Sequence, residues 1–273
     1  MIPAAFDYVR VDSVDAAVAA LTEHGDDAKL LAGGHSLLPL MKLRLAFPSV
    51  LVDIGRIDGL SYVRRDGDQV AIGALTRHCD VNGSPELAEH APLLAYVAGK
   101  VGDPQVRHRG TIGGSIAHAD PASDLPAAVL ALGGELVVTG PSGQRVIPAT
   151  EFFTGFLETA MAADEMLTEI RVPTAVAGHS YQKFVRRAQD WAMVGVAVAR
   201  YNGTTGVSLV NMGPTPLRAV AVEAALASGA SAAEAAELAD QDSQPTGDAN
   251  ASPAFRRHLA RVLTRRGLEE AGL

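Results

Sequence analysis

The stretch 30-LLAGGHSLLPLMKLRLA-46 decides the fold, because an apolar segment runs into the paired glycines Gly33 and Gly34 and a second apolar segment follows. A similar stretch, 107-RHRGTIGGSIAHADPASDLPA-127, carries a second Gly-Gly pair. Glycine lets a backbone turn sharply, and successive N–H groups at such a turn form a concave anion site. For a single pair, a tight turn with no ligand is the better explanation. Two pairs, each beside hydroxyl residues, make a shared diphosphate site an equal alternative.

The residues around the two glycine pairs limit which types of phosphate-binding site the chain could form. Hydroxyls of Ser36, Thr111 and Ser115 add hydrogen-bond donors, and a helix N-terminus behind either pair would add a favourable field. Neither stretch has the Gly-Lys-Ser/Thr ending of a mononucleotide P-loop, and neither has the spaced three-glycine fingerprint of a Rossmann dinucleotide site. Both of those site types are therefore excluded.

Length and composition indicate a packed protein with room for two domains. The chain has 273 residues, of which 48% are hydrophobic and 20% charged, as in ordinary globular proteins. The formal net charge of −8 argues against binding to nucleic acid or anionic lipid. The single cysteine, Cys79, cannot hold an iron–sulfur cluster and is best explained as a partly buried packing residue. Since no leader opens the sequence and no apolar run could cross a bilayer, we expect a cytoplasmic protein without a transmembrane segment.

Hydrophobic periodicity and capping residues predict a mixture of helices and strands. Helices are predicted over residues 13–24, 36–44, 85–98, 125–131, 219–226, 231–240 and 252–266. Strands are predicted over residues 28–32, 50–54, 70–72, 135–139, 145–147, 166–172, 181–187, 194–201 and 206–212. The last three strands suggest a small antiparallel sheet, and the basic end of the last helix would suit the helix dipole. Residues 241–251 should form a loop, and residues 173–179 a domain boundary.

The two glycine stretches together resemble the medium, flavin-binding subunit of the molybdenum hydroxylases, a group that includes aerobic carbon monoxide dehydrogenase and the flavin domain of xanthine dehydrogenase. The resemblance extends to 183-KFVRRAQDWAMVGVAV-198 and 211-NMGPTPLRA-219, so it covers nearly the whole chain. It implies an α+β fold, in which a two-subdomain FAD-binding domain of the vanillyl-alcohol-oxidase/molybdenum hydroxylase type precedes a C-terminal domain of a small antiparallel sheet plus helices. The domains would be residues 1–176, with subdomains of about 1–56 and 57–176, and residues 177–273.

The resemblance also implies which residues bind FAD. Two sets would clamp its diphosphate from opposite sides: Ala32, Gly33, Gly34, His35 and Ser36, and Thr111, Ile112, Gly113, Gly114 and Ser115. Asp124 would accept hydrogen bonds from the adenosine-side ribose, for which an ionised carboxylate is suited. Leu167 would contact adenine. Lys183 would reach toward the flavin, where a positive charge favours the anionic reduced form. Trp191 would lie close to the flavin face.

Three of these residues also have structural explanations, which the sequence leaves open. Asp124 could cap a helix, because it precedes a predicted one. Trp191 could pack in the core, as buried aromatic residues usually do. Lys183 could lie on the solvated face of a strand.

Histidine and arginine residues near the glycine stretches need separate explanations. His35, His108 and His118 match no compact zinc pattern and no set of cysteines accompanies them, so no metal site is predicted. Arg107 and Arg109 either bring positive charge near the diphosphate or lie on the surface. We predict no catalytic general base on this chain.

The function implied by the resemblance is that of an electron-transfer subunit. A large partner subunit would oxidise substrate at a molybdenum cofactor, and a small partner subunit would relay electrons through 2Fe-2S clusters. This chain would receive the electrons on FAD and pass them to a quinone, oxygen, NAD or another acceptor. Carbon monoxide is the expected substrate, with aldehydes and N-heterocycles open. We expect a dimer of heterotrimers, with peripheral attachment to the inner face of the membrane through the complex as an alternative placement.

Two other functions stay open. A self-contained FAD-dependent reductase or oxidase of the same superfamily would need a substrate pocket of its own. A non-catalytic assembly subunit that has lost its cofactor would purify without flavin. The subunit hypothesis further predicts an exposed apolar patch for partner docking.

Overall fold

The computed structural model describes residues 2–174 and 176–273. Its helices are α1 (Val14–His24), α2 (Leu37–Lys42), α3 (His78–Gly83), α4 (Pro85–His90), α5 (Pro92–Gly99), α6 (Pro104–Arg107), α7 (Ile112–His118), α8 (Asp124–Ala131), α9 (Ala149–Phe152), α10 (Val220–Ala227), α11 (Ala232–Ala236) and α12 (Pro253–Glu270). Its strands are β1 (Asp7–Arg10), β2 (Ala28–Leu31), β3 (Val50–Asp53), β4 (Val63–Asp66), β5 (Gln69–Gly73), β6 (Glu135–Gly140), β7 (Gly143–Pro148), β8 (Phe153–Gly155), β9 (Glu158–Thr159), β10 (Met166–Pro173), β11 (Val176–Phe184), β12 (Val194–Tyr201), β13 (Thr204–Val210) and β14 (Leu217–Arg218).

The N-terminal sheet is parallel and has the strand order β1-β3-β2. Val50 begins the central strand and pairs with Asp7 on one side and Ala28 on the other. Parallel strands cannot be joined by a tight turn, so a helix is the usual connector. Helix α1 is that connector, and its buried residues Ala17 and Leu21 join the core of this sheet.

Helix α1 begins and ends where the capping residues predict. The Ser13 hydroxyl accepts a hydrogen bond from the backbone N–H of Ala16 at 3.2 Å, which satisfies one amide that the helix itself leaves unpaired. Gly25 follows the helix with a φ of 54°, in the region that favours glycine. The serine N-caps of α4, α11 and α12, at positions 84, 231 and 252, act in the same way.

The second sheet is antiparallel and has the order β4-β5-β10-β6-β7. Helices α3 to α8 lie between β5 and β6 in the sequence; α4 and α7 contact this sheet directly, and α5 and α8 share its core. The hairpin of β6 and β7 turns between Gly140 and Gly143, as predicted. Central strand β10 has a register shift between Leu167 and Glu169, and such a β-bulge bends a strand locally.

The C-terminal sheet is antiparallel, as predicted, and has the order β11-β12-β13-β14. Alternate residues of a strand face opposite sides of its sheet. In β12, Ala197 and Ala199 accordingly join the core around α5 and α8, whereas Val196 and Val198 join a separate core with α10 and α12. Both faces of this sheet are therefore covered by helices, and one of those faces belongs to the core of the preceding domain.

Several predicted elements have different bounds in the structure. The helix predicted over 85–98 is two helices, because Pro92 has no N–H to donate and Ala91 before it leaves the helical region, with φ −143° and ψ 58°. Helix α11 ends at Ala236 rather than near residue 240. The strand predicted over 181–187 is displaced toward the N-terminus, as β11. Helix α12 continues to Glu270, so the expected basic last turn at 266 was wrong.

The arrangement of sheets and helices confirms the predicted α+β class. The predicted domain boundary near residue 176 falls beside Ala175, which lies outside the described residues, so the division into residues 1–176 and 177–273 stays a prediction. Within residues 2–174 and 176–273, no helix combines the length and apolar character needed to cross a bilayer.

Candidate functional site

A cavity of about 960 Å³ lies where the N-terminal sheet, helix α7 and the start of α8 meet the segment that follows β11. This volume is at the upper end of the range typical of sites for small molecules and cofactors. The cavity wall contains thirteen of the fourteen predicted site residues: Ala32, Gly33, Gly34, His35, Ser36, Thr111, Gly113, Gly114, Ser115, Asp124, Leu167, Lys183 and Trp191. The fourteenth, Ile112, is fully buried and does not line the cavity.

The first glycine stretch forms a loop between β2 and α2. Gly34 has a φ of 77°, a backbone conformation that glycine adopts without strain. None of the described residues accepts a hydrogen bond from the backbone N–H groups of residues 33–37. Unpaired successive amides of this kind form an anion-binding concavity, and this loop borders the cavity.

Gly33 allows the two glycine stretches to touch each other. A Cβ atom at this position would lie 2.1 Å from the carbonyl oxygen of Arg109 and 2.9 Å from the Cα atom of Gly110. The sequence suggested that glycine keeps side-chain bulk away from a ligand. At Gly33, the space that a side chain would need is instead filled by the second stretch.

The second stretch is the beginning of helix α7 rather than a free loop. The Thr111 hydroxyl caps the helix by accepting from the N–H of Gly114 at 3.2 Å. Three backbone N–H groups donate to backbone carbonyl oxygens: Ile112 to that of Thr76 at 2.9 Å, Gly113 to that of Ala74 at 2.9 Å, and Ser115 to that of Thr111 at 3.0 Å. The two stretches therefore differ. The amides of the second are used within the chain, so hydroxyl groups and the helix N-terminus are what it offers to a ligand.

Asp124 and Lys183 form a buried ion pair beside the cavity. The Lys183 ammonium lies 2.8 Å from Asp124 Oδ2 and also donates to the carbonyl oxygen of Lys100 at 3.0 Å. The side chain of Lys183 is 11% exposed and that of Asp124 is 8% exposed. Lys183 is therefore not on a solvated strand face. Asp124 is the first residue of α8 and Ser123 is its N-cap, so the capping explanation for Asp124 was wrong as well.

Tyr181 completes this network from beneath the cavity. Its fully buried hydroxyl donates a hydrogen bond to Asp124 Oδ1. Burial raises the pKa of Asp124, while the Lys183 ammonium and the Tyr181 hydroxyl oppose that rise. Burial together with the nearby Asp124 carboxylate raises the pKa of Tyr181 well above its ordinary value. The sequence did not single out Tyr181, since only the folded chain brings it next to a residue 57 positions away.

The remaining predicted residues lie on different elements. Leu167 is buried at the β-bulge of β10. Trp191 is 59% exposed and lies at the cavity wall between β11 and β12, so the core-packing explanation for it was wrong. Arg107 is used structurally, because it donates to the carbonyl oxygens of Val101 at 3.0 Å and Gly102 at 3.1 Å.

Two domain families match the chain in succession. Residues 4–175 match the family described as the FAD binding domain in molybdopterin dehydrogenase, and residues 179–271 match the CO dehydrogenase flavoprotein C-terminal domain. The carbon monoxide dehydrogenase medium chain of Hydrogenophaga pseudoflava is 48% identical over 225 residues, which are 80% of this chain and 78% of the relative. The corresponding medium chain of Afipia carboxidovorans is 39% identical over 283 residues, 99% of this chain and 98% of the relative.

Solved structures agree with the sequence comparison. A chain of carbon monoxide dehydrogenase from Hydrogenophaga pseudoflava superimposes with a TM-score of 0.95 at 44% identity, covering 99% of this chain and 98% of that one. This likeness confirms the predicted fold type, and the family matches confirm the resemblance inferred from the glycine stretches. The chain thus belongs to the family of FAD-binding flavoproteins of the molybdopterin dehydrogenases, as an FAD-dependent oxidoreductase subunit of the medium-chain type.

Proposed function

We propose that the cavity holds FAD and that the loop before α2 binds the diphosphate. The observation that carries this proposal is the row of N–H groups of residues 33–37, which have no acceptor among the described residues and border a cavity of about 960 Å³. A diphosphate supplies the anionic oxygens that such a row binds. Hydroxyls of Ser36, Thr111 and Ser115 add donors around the same part of the cavity.

The other predicted residues would hold the rest of the cofactor. Asp124 keeps acceptor capacity for a ribose hydroxyl, because a carboxylate has about four lone-pair sites and two partners occupy only some of them. Lys183 has a third ammonium hydrogen to direct toward the flavin. Leu167 would contact adenine, and Trp191 would lie by the flavin. When bound, FAD supplies the capacity to accept single electrons and to release two.

We further propose that the chain works between two partner subunits. The relatives are named medium chains, a name that implies larger and smaller partners. The large partner would carry the molybdenum cofactor and the small partner the 2Fe-2S clusters, in a dimer of heterotrimers. Carbon monoxide is the substrate favoured by these relatives, and a quinone is the acceptor we favour. The residues of this chain would position FAD and exclude water from it. Attachment to the inner face of the membrane would come through the complex.

The sole tryptophan gives a direct test of the FAD proposal. Trp191 lies at the cavity wall, so binding of FAD to the flavin-free full chain should quench its fluorescence in a saturable way. Riboflavin, which lacks the diphosphate, should bind more weakly than FAD. Trp191→Phe should remove the fluorescence signal but leave FAD binding in place, as measured by equilibrium dialysis. The proposal would be refuted by a chain whose fluorescence is not quenched and that retains no bound flavin in dialysis.

Substitutions of the glycines test the loop. Gly33→Val and Gly114→Val should both lose FAD, the first because its side chain would collide with the carbonyl of Arg109 and separate the two stretches. Gly213→Ala is a matched control, because a Cβ there meets no atom closer than 3.7 Å and the backbone has no positive φ. Unchanged flavin content in both valine variants would contradict the assignment. Turnover by the chain without partners would favour the self-contained enzyme instead.

A further inference from the structure

The side chain of His78 is a buried polar group in the cavity wall to which the proposed FAD site gives no role. It is only 4% exposed and lines the same cavity as the two glycine stretches. Its Nδ1 atom is buried and has no hydrogen-bond partner. No hydrogen bond joins either nitrogen of the ring to the residues that the structure describes.

The His78 ring lies at the junction of the two glycine stretches. A Cβ atom at Gly110 would lie 2.7 Å from both Cδ2 and Nε2 of the ring, and a Cβ at Gly33 would lie 2.9 Å from the Cα of Gly110. The backbone N–H of His78 donates to the carbonyl oxygen of Gly110 at 3.0 Å, which fixes the base of the side chain. Gly110 is therefore close both to the ring and to the loop whose amides are unpaired, and the ring and that loop line the same cavity.

An imidazole without a hydrogen-bond partner is energetically unfavourable at this buried position. A buried polar group without a partner destabilises the folded chain, whereas a leucine of similar size would fill the space without that cost. Burial, with smaller contributions from the nearby His35 and Arg107, lowers the pKa of His78 to about 4. At neutral pH the ring is uncharged and carries a single N–H donor. The Arg107 guanidinium of α6, whose charge acts on the ring, favours an anion nearby.

We propose that His78 is a further ligand-binding residue of the cavity, whose Nε2–H group donates a hydrogen bond to a phosphate oxygen of a bound nucleotide diphosphate. The proposal rests on the proposed FAD site and adds a side-chain donor to the amides of residues 33–37. The Nε2–H group would find in the ligand the partner that the described residues do not provide, and Nδ1 would be the unprotonated nitrogen of the ring. Gly110 is part of this arrangement, because any side chain there would occupy the place of the ring.

The test compares the wild type with three variants at position 78 in the flavin-free full chain, with FAD, ADP and riboflavin as probes. His78→Leu removes the donor, His78→Gln places an amide nitrogen near the position of Nε2, and His78→Asn places it one carbon short. We expect Leu and Asn to weaken FAD and ADP about tenfold or more, the loss of one hydrogen bond to a charged group. Gln should stay within about threefold of the wild type. Riboflavin, which has no phosphate, should bind all variants equally.

A stability measurement separates binding from folding. Because the ring makes no hydrogen bond within the described residues, His78→Leu should melt no lower than the wild type in the absence of flavin. His90→Leu is the control, since His90 lies on α4 away from the cavity and should change no affinity. A folded His78→Leu chain that binds FAD and ADP like the wild type overturns the proposal, and so does a Gln variant as weak as Leu.

The same experiment separates this proposal from the FAD site itself. A wild-type chain that binds neither FAD nor ADP refutes the FAD site, whereas normal binding by both wild type and His78→Leu refutes only the role of His78. If the leucine variant does not fold, the comparison of Gln with Asn decides, because both are polar and close in size to histidine. Equal affinities of those two variants for ADP would overturn the proposal.

Discussion

Lys183 shows how the surroundings of a residue, rather than its type, determine its role. Lysine in a strand is usually solvated, but here its side chain is 11% exposed and its ammonium is paired with the Asp124 carboxylate. Removing one member of a buried ion pair leaves the other charge without a partner, which is more costly than never having built the pair. A single substitution that removes one of the two charges should therefore cost more stability than the double substitution that removes both.

We expect Lys183→Met to reduce the free energy of unfolding by about 3 kcal/mol, because Asp124 would keep its burial and lose its cation. The double variant Asp124→Asn with Lys183→Met should recover part of that loss. Urea denaturation of the flavin-free chain measures both. Lys29→Met, at an exposed residue of the same cavity wall, should change stability by less than about 0.5 kcal/mol. Strictly additive single effects would show that the two charges are not coupled.

His78 gives a stability prediction with a defined pH window. Its pKa is about 4 in the folded chain and 6.5 when unperturbed, so between these values the unfolded chain binds the proton and the folded chain does not. Stability must then fall as pH falls from 6.5 to 4. At about 1.4 kcal/mol for each unit of pKa difference, the loss at pH 4 approaches about 3 kcal/mol.

The variant His78→Leu should lack this component of the acid sensitivity. Urea denaturation at pH 6.5 and at pH 4 should show the wild type losing about 3 kcal/mol more than the variant across the window. Other groups titrate in both proteins, so the difference between the two curves isolates the imidazole. Parallel curves would mean that the ring is hydrated or protonated in the folded chain.

At the scale of elements, helix α8 and strand β13 approach each other as closely as their backbones permit. A Cβ atom at Gly206 would lie 2.0 Å from the carbonyl oxygen of Ala131, the last residue of the helix. Backbone atoms cannot rotate away as a side chain can, so the helix and the sheet would have to separate. That separation would open the core shared by the two domains.

We therefore expect Gly206→Ala to destabilise the chain by about 3 kcal/mol or more, the upper part of the range for overpacked cores. Gly83→Ala is the matched control, because Gly83 ends helix α3 with no atom near the added Cβ and no positive φ. That substitution should be neutral or slightly stabilising. Thermal unfolding of both variants measures the contrast, and equal melting temperatures would contradict it.

Elements with local signals could be predicted from the sequence, and those without could not. The hydroxyl cap at Ser13 and the glycine turn of the β6–β7 hairpin depend on adjacent residues, and both were confirmed. Strands β1 and β4 were missed because they are largely exposed and show no buried face. Pro92 indicates a break between two helices, which the prediction of one helix over residues 85–98 did not take into account. The last turn of α12 forms despite Gly267, because that glycine packs against Val198 of the C-terminal sheet.

The candidate site likewise has features that could be predicted from the sequence and features that could not. Family resemblance brought together residues as distant as Gly33 and Trp191, and the structure places both in one cavity wall. The resemblance gave no information on which amides are unpaired, because that depends on where Thr76 and Ala74 meet the start of α7. His78 was missed for the same reason, since nothing in its local sequence distinguishes a partnered imidazole from an unpartnered one.

At the scale of the whole molecule, the two domains share a core. Residues Tyr181 and Val210 of the C-terminal sheet belong to the same buried cluster as helices α5 and α8. The apolar surface that each domain would expose alone is therefore large, and exposed surface of this kind promotes aggregation. The chain should behave as a single cooperative unit in spite of its two family matches.

Expressing the chain as two separate pieces, divided between the two family matches, tests this cooperativity. We expect residues 1–175 and 176–273, expressed separately, to aggregate or to unfold without a cooperative transition, and to recover folded material when expressed together. Circular dichroism and size-exclusion chromatography provide the readout. A C-terminal piece that is monomeric and melts cooperatively by itself would show that the shared core is dispensable.

Strand β11 connects the last turn of the chain to the cavity. Ser180 and Gln182 face α12 and donate to the carboxylate of Glu270, while the residues between and after them, Tyr181 and Lys183, face Asp124 on the other side. Deletion of residues 270–273 would therefore free one side of this strand and release the Lys183 ammonium from its fixed position.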